Sequence, residues 1–180
     1  MMSALVAAAR RIVVSVLMLA LLASPTVYGR QRAAPLVMTP SVSETFSPDI
    51  IRLGGSSLVA LTLTNPTTTA ATVTAELDDF LPASLVIGGG AGATSCPNGH
   101  VSAIAGFSVF ALAVGTQIPA LGSCTVTVCV TTDAGGDYTN TIPAGALQTD
   151  GGNNADPASA ILIASADVIF ADGFEGQCSS

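Results

Sequence analysis

The sequence predicts an all-β sandwich behind an export leader. Three observations predict it. Past residue 30, apolar and polar residues alternate with a period of two in one segment after another, and no stretch of useful length keeps a period of 3.6. β-branched residues dominate those segments. Between them stand clusters of Gly, Pro, Asn and Asp, namely NPTTT, GGGAGAT, CPNGH, DAGGD and TDGGNNADP, the composition that turns require. Short strands with such punctuation are the pattern of a sandwich.

The leader comes first. MMSALVAAARR places two arginines before a predominantly apolar run from Ile12 to Ala23. That is the charged region and apolar region of a secretory signal peptide, too short to span a bilayer comfortably. Small residues follow Pro25, and cleavage is expected after Gly29. No cysteine stands just past the apolar run, so a lipid anchor is not indicated. The competing expectation is an uncut N-terminal anchor. Cleavage removes two arginines and no carboxylate, and leaves a chain long enough to bury a proper core.

The strands follow in order. Ser57–Thr64 sets Val59, Leu61 and Leu63 on one face and Ala60, Thr62 and Thr64 on the other. Thr72–Asp78 alternates Val73, Ala75 and Leu77 against Thr72, Thr74 and Glu76. Val109–Val114, Cys124–Thr131, Tyr138–Ile142 and Ser159–Ala164 continue the pattern. Threonine-rich outer faces suit sheets with one solvated side.

Cys124–Thr131 holds two of the four cysteines. Cys124, Val126, Val128 and Val130 share one face, and Thr125, Thr127, Cys129 and Thr131 the other. The valine face is the core face, so Cys124 is expected buried and Cys129 exposed. Five residues of strand separate the two by roughly 16 Å, beyond the reach of a disulfide at about 7 Å between Cα atoms. Two connectivities remain in an oxidising compartment: Cys96 with Cys124 and Cys129 with Cys178, or the crossed pairs.

Composition excludes several functions. The formal charge is −7 and lysine is absent. No basic stripe exists to displace counterions, so nucleic acid is not a partner. Without lysine there is no phosphate-loop lysine, no Schiff base and no Lys–Asn crosslink. With no Trp and 4% aromatics, the aromatic floors of sugar clefts are disfavoured. Asp78 and Asp79 are adjacent on a strand and point to opposite faces, a poor acid–base pair and a good strand end entering a turn. His100, the only histidine, sits in a turn with no nucleophile elbow nearby. Cys96, His100, Cys124 and Cys129 match no zinc spacing. Asp150, Asn153, Asn154 and Asp156 offer oxygen ligands for calcium but miss the EF-hand register, and the same residues make turns. No catalytic residue, cofactor site or metal site is assigned.

The run FSPDIIRLGGSSLVALTLTNP, Phe46 to Pro66, resembles the opening of an immunoglobulin-like repeat module of bacterial surface and secreted proteins, whose function is unassigned. DDFLPASLVI, TSCPNGHV, IPALGSCTVTVCV and GDYTNTIPAGALQTDGGNNADPASAILI resemble its later segments in the right order, to about Ile163. The resemblance implies an immunoglobulin-like sandwich and an adhesive or spacer role. It also implies a Cys96–Cys124 disulfide. Cys129 departs from the family pattern and Cys178 lies outside it; by elimination these two pair with each other, or one is free. The tail DVIFADGFEGQCSS is similar to a short Asp-Gly-Phe-Glu ending of exported proteins of Gram-negative bacteria, here Asp172 to Glu175.

The expected organisation is therefore a signal-peptide helix over 1–29, a linker over 30–45, the sandwich over 46–165 and a tail over 166–180. The expected location is secreted, cell-surface or periplasmic, with no stable membrane span after cleavage. The expected function is a non-catalytic structural, adhesive or binding module for an extracellular ligand. A small secreted hydrolase or inhibitor on the same scaffold is the alternative, since fold alone decides neither.

Overall fold

Alternation sets the architecture. In the computed structural model, which describes residues 38–167, each expected strand segment contains a strand, two of them shortened or broken as given below, and no helix occurs among the described residues. The expected leader helix, and the tail from residue 168 onward, lie outside the described residues. The strands are β1 (Ser41–Ser47), β2 (Ile50–Arg52), β3 (Ser56–Asn65), β4 (Ala71–Thr72), β5 (Leu77–Phe80), β6 (Val86–Ile87), β7 (Ala93–Thr94) and β8 (Val101–Ala103). After them come β9 (Val109–Leu112), β10 (Gln117–Ile118), β11 (Gly122–Thr131), β12 (Gly136–Ile142), β13 (Gln148–Thr149), β14 (Gly152–Asn153) and β15 (Ala158–Ser165).

The largest sheet runs β1-β3-β11-β6, with β7 also on β11. Its centre is the long antiparallel β3–β11 ladder, which sets Leu63 opposite Cys124, Leu61 opposite Val126 and Val59 opposite Val128. All six side chains are buried. Two smaller sheets, β12-β15-β2 and β5-β9-β8, supply the other side of the core through Leu162, Ile142, Leu77, Phe110 and Leu112. β2 runs parallel to β15, and the other ladders are antiparallel. Each fully buried Val, Leu, Ile or Phe contributes roughly 1.5–3 kcal/mol. Val59, Leu61, Leu63, Val73, Leu77, Val126 and Val128 are each at most 1% exposed, as their parity in the sequence requires.

Three expectations are corrected. Residues 41–45, expected as linker, form most of β1, because Val42, Glu44 and Phe46 face the core while the serines and Thr45 face out. The single strand expected over Thr72–Asp78 is broken into β4, a bridge from Val73 to Thr149, and β5. The strand expected to Val114 stops at Leu112, where Ala113 N–H instead donates to the His100 carbonyl.

The turn residues close the frame by hydrogen bonds. Asn65, fully buried, donates through Nδ2 to the carbonyls of Thr69 and Ile118, and its Oδ1 accepts from Thr67 N–H and Oγ1. Tyr138 sends its hydroxyl four residues back to the Ala134 carbonyl at 2.7 Å. That is the geometry of a tyrosine corner, a mark of immunoglobulin-like sandwiches.

Candidate functional site

Two features stand out once the side chains are in place. The first is inside. β1, β5 and β12 each turn one polar side chain inward: Glu44, Asp79 and Asn140. β5 and β12 approach each other but share no ladder, and the side chains span that gap. The Asn140 amide donates one hydrogen to Glu44 Oε1 at 2.6 Å and the other to Asp79 Oδ1 at 2.7 Å. The second oxygens, Glu44 Oε2 and Asp79 Oδ2, are buried with no donor, as is Asn140 Oδ1.

Burial pushes the Glu44 carboxyl up to about 7; the Asn140 hydrogen bond opposes this and the neighbouring Asp79 charge adds to it. Burial likewise raises Asp79 to about 6 against its bond to Asn140. Two carboxyls held by one neutral amide therefore keep a proton near neutral pH. The pair lies in the core, and with Asn140 it joins three sheets at one point.

The second feature is outside. On β5-β9-β8 the inward residues are Leu77, Asp79, Phe110, Leu112 and Val101. The outward ones are Asp78, Phe80, Val109, Ala111 and Ser102, where Phe80 pairs with Val109, and Ala111 lies between Asp78 and Ser102. Phe80 is 70% exposed, and Ile104 and Phe107, in the turn joining β8 to β9, are 59% and 57% exposed. Ala111, although outward, is only 8% exposed, because larger side chains wall it in. The result is an open groove of about 240 Å³ over Ala111, with Ile104, Phe107 and Val109 as apolar walls and Glu76 and Asp78 on the rim.

The residues singled out in the sequence are placed as follows. Cys96 and Cys124 form a disulfide, buried at the start of β11, and it ties the loop after β7 to the core. Cys129 lies on the outer face of β11 but is 8% exposed, which corrects the expectation of an exposed thiol position. Gly88 stands beside it across the β6 ladder: Gly88 N–H donates to the Cys129 carbonyl, and a Cβ at Gly88 would lie 3.4 Å from Cys129 Sγ. Its expected partner, Cys178, lies outside the described residues. His100 is exposed.

In the TDGGNNADP loop, Asp150 Oδ1 accepts from Thr72 N–H and Asn154 Oδ1 accepts from Leu147 N–H. Asn154 Nδ2 donates to the carbonyls of Pro143 and Asp156. Two of the four candidate calcium ligands thus serve the backbone, which is the turn-making use of these residues. Asp78 and Asp79 point to opposite faces as expected, but they lie within β5 and not in a turn.

Sequence reasoning missed Glu44, Asp79 and Asn140 as a group. The available signal was parity: each shares a strand face with apolar neighbours, Val42 and Phe46, Leu77, and Tyr138 and Ile142.

Residues 40–164 match the model of a family described as Domain of unknown function (DUF7933). The chain belongs to this family. No curated protein matches it. Among solved structures it is similar to a cohesin module from the family 33 glycoside hydrolase of Clostridium perfringens, at 12% identity and a TM-score of 0.53, over 71% of this chain and 98% of that one. The collagen-binding domain of a Staphylococcus aureus adhesin also aligns, at 8% identity and a TM-score of 0.44, over 73% and 99%. At such identity the likeness is one of fold alone: the DUF7933 domain is an all-β sandwich.

Proposed function

We propose that the protein is an exported, non-catalytic sandwich module that binds an extracellular partner through the outer face of β5-β9-β8. The observation that carries this is the exposure of Phe80, on the outer face of β5, and of Phe107, which walls the groove over the outer face of β9. Aromatics are 4% of the chain, so a solvent-facing pair beside Ile104 and a groove is a costly surface for a free sandwich. Apolar groups gathered in this way mark interaction sites.

A buried disulfide suits an oxidising compartment, and no described helix is long and apolar enough to cross a membrane. The cohesin likeness supports a binding scaffold as a fold-level analogy only. The leader over 1–29 would direct export, with cleavage after Gly29.

The test is a solid-phase assay. The exported protein is immobilised and offered extracellular matrix proteins and surface extracts of other bacteria, beside a panel of esterase, glycosidase and peptidase substrates. Saturable retention without turnover is expected. Turnover of any substrate at a rate above the protein-free control would favour the hydrolase instead.

A further inference from the structure

We infer that the groove on β5-β9-β8 takes a basic apolar segment of a different protein: one large apolar side chain flanked by Lys or Arg. This rests on the binding-module reading and adds the chemistry of the partner. The walls and floor set the central residue. Ile104, Phe107, Val109 and Ala111 offer only carbon, Ser102 beside Ala111 adds one hydroxyl, and a space of about 240 Å³ is below the range of sites for drug-sized ligands but suits a single Leu or Phe side chain.

The rim sets the flanks. Glu76 and Asp78 are exposed, and no basic residue lines the groove. Asp78 stands across the ladder from Ala111, so its carboxylate borders the point where an inserted side chain would enter. A cation there gains both charges. An acidic segment, an anionic membrane or a nucleic acid would meet them as repulsion.

Charge argues against the described sandwich of a second copy as the occupant; Arg30 and Arg32, past the expected cleavage site, lie outside the described residues. The whole chain has five arginines and no lysine against twelve carboxylates. The described part carries one arginine, Arg52 on β2, and β2 belongs to another sheet. Two copies would bring acidic rims to an acidic surface.

The experiment uses three capped tetrapeptides as probes, Lys-Leu-Phe-Arg, Glu-Leu-Phe-Asp and Lys-Ser-Ser-Arg, titrated into the isotope-labelled exported protein and followed by amide NMR. The first should shift amides of residues 76–80 and 102–111. The second should bind at least about ten-fold more weakly, as two like-charge contacts at a partly desolvated rim require. The third should bind no better than the second. Glu76→Gln with Asp78→Asn should bring the first two probes within about two-fold of each other, and added salt should do so in the wild type.

Equal binding of the first two probes to the wild type overturns the inference. So do shifts centred on another face, or line broadening with protein concentration alone, which would mean a second copy fills the groove. If no probe binds while the solid-phase assay still shows retention that is lost on altering Phe80 and Phe107, the partner chemistry is wrong and the binding module stands. If that retention is absent too, both fail.

Discussion

Asn140 is the residue on which the interior turns. Its two amide hydrogens are the recorded donors to two buried carboxyls. Asn140→Leu keeps the volume close and removes both, leaving each carboxyl with no partner in a low dielectric. Such groups cost about 1–3 kcal/mol each, more if charged. We expect a loss of at least about 2 kcal/mol in urea unfolding at pH 7, whereas Glu44→Gln, which removes charge and keeps shape, should be neutral or stabilising there. A second prediction at this scale concerns Cys96 and Cys124, 28 residues apart. The double change to Ala should cost roughly 3–4 kcal/mol, the value for a loop of that length in the chain-entropy model.

Residue identity was legible wherever parity decided it. The valines of β11 and the leucines of β3 face inward because a period of two permits nothing else. The same parity marks Glu44 as inward, between Val42 and Phe46, yet parity cannot say that Asp79 and Asn140, 35 and 96 positions along, meet it in space.

At the scale of elements, burial followed from strand order as well as from side-chain parity. Cys129 sits on the outer face of β11 and is nonetheless 8% exposed, with Gly88 beside it across the β6 ladder. Sequence gives the face of a residue and not what the fold brings beside it. The same reasoning explains Asp79. A strand end looked ready to turn, but β9 continues the pairing through Phe80 opposite Val109. Gly92 shows a close approach of this kind: a Cβ there would fall 2.3 Å from Val101 Cγ1 and 3.1 Å from Val128 Cγ2.

A prediction belongs to β11 itself. We propose that Cys129 pairs with Cys178 and so straps the tail near this strand. Peptide mapping without reductant should recover the Cys129 and Cys178 peptides linked within a monomer. A Cys129 link between two chains would show a covalent dimer instead.

For the whole molecule, the carboxyl pair makes stability depend on pH. Both groups bind their protons more tightly in the folded chain than in the unfolded one, where ordinary values near 4 apply. The folded state therefore holds more protons between about pH 4 and 7, and stability falls as pH rises through that window. Below it both states are protonated and this dependence vanishes. The free energy of unfolding should be higher at pH 5 than at pH 8, by something on the order of 2 kcal/mol after allowing for coupling between the groups. Glu44→Gln with Asp79→Asn should flatten the slope. A profile that rises from pH 5 to 8 would show the pair ionised and stabilised by something other than Asn140.

The fold class was readable because turns and periodicity are local. The outer groove was not, since Asp78 of β5, Ala111 of β9 and the Ile104–Phe107 turn are brought together only by the β5-β9-β8 pairing.

The claim that this face is where the module binds has one direct test. Phe80 and Phe107 are more than half exposed, so Phe80→Ser with Phe107→Ser should leave the unfolding midpoint nearly unchanged. In the solid-phase assay the double variant should lose at least about ten-fold in retention, the scale of a small hot spot. Retention equal to wild type, with the fold intact by circular dichroism, would place the binding surface elsewhere.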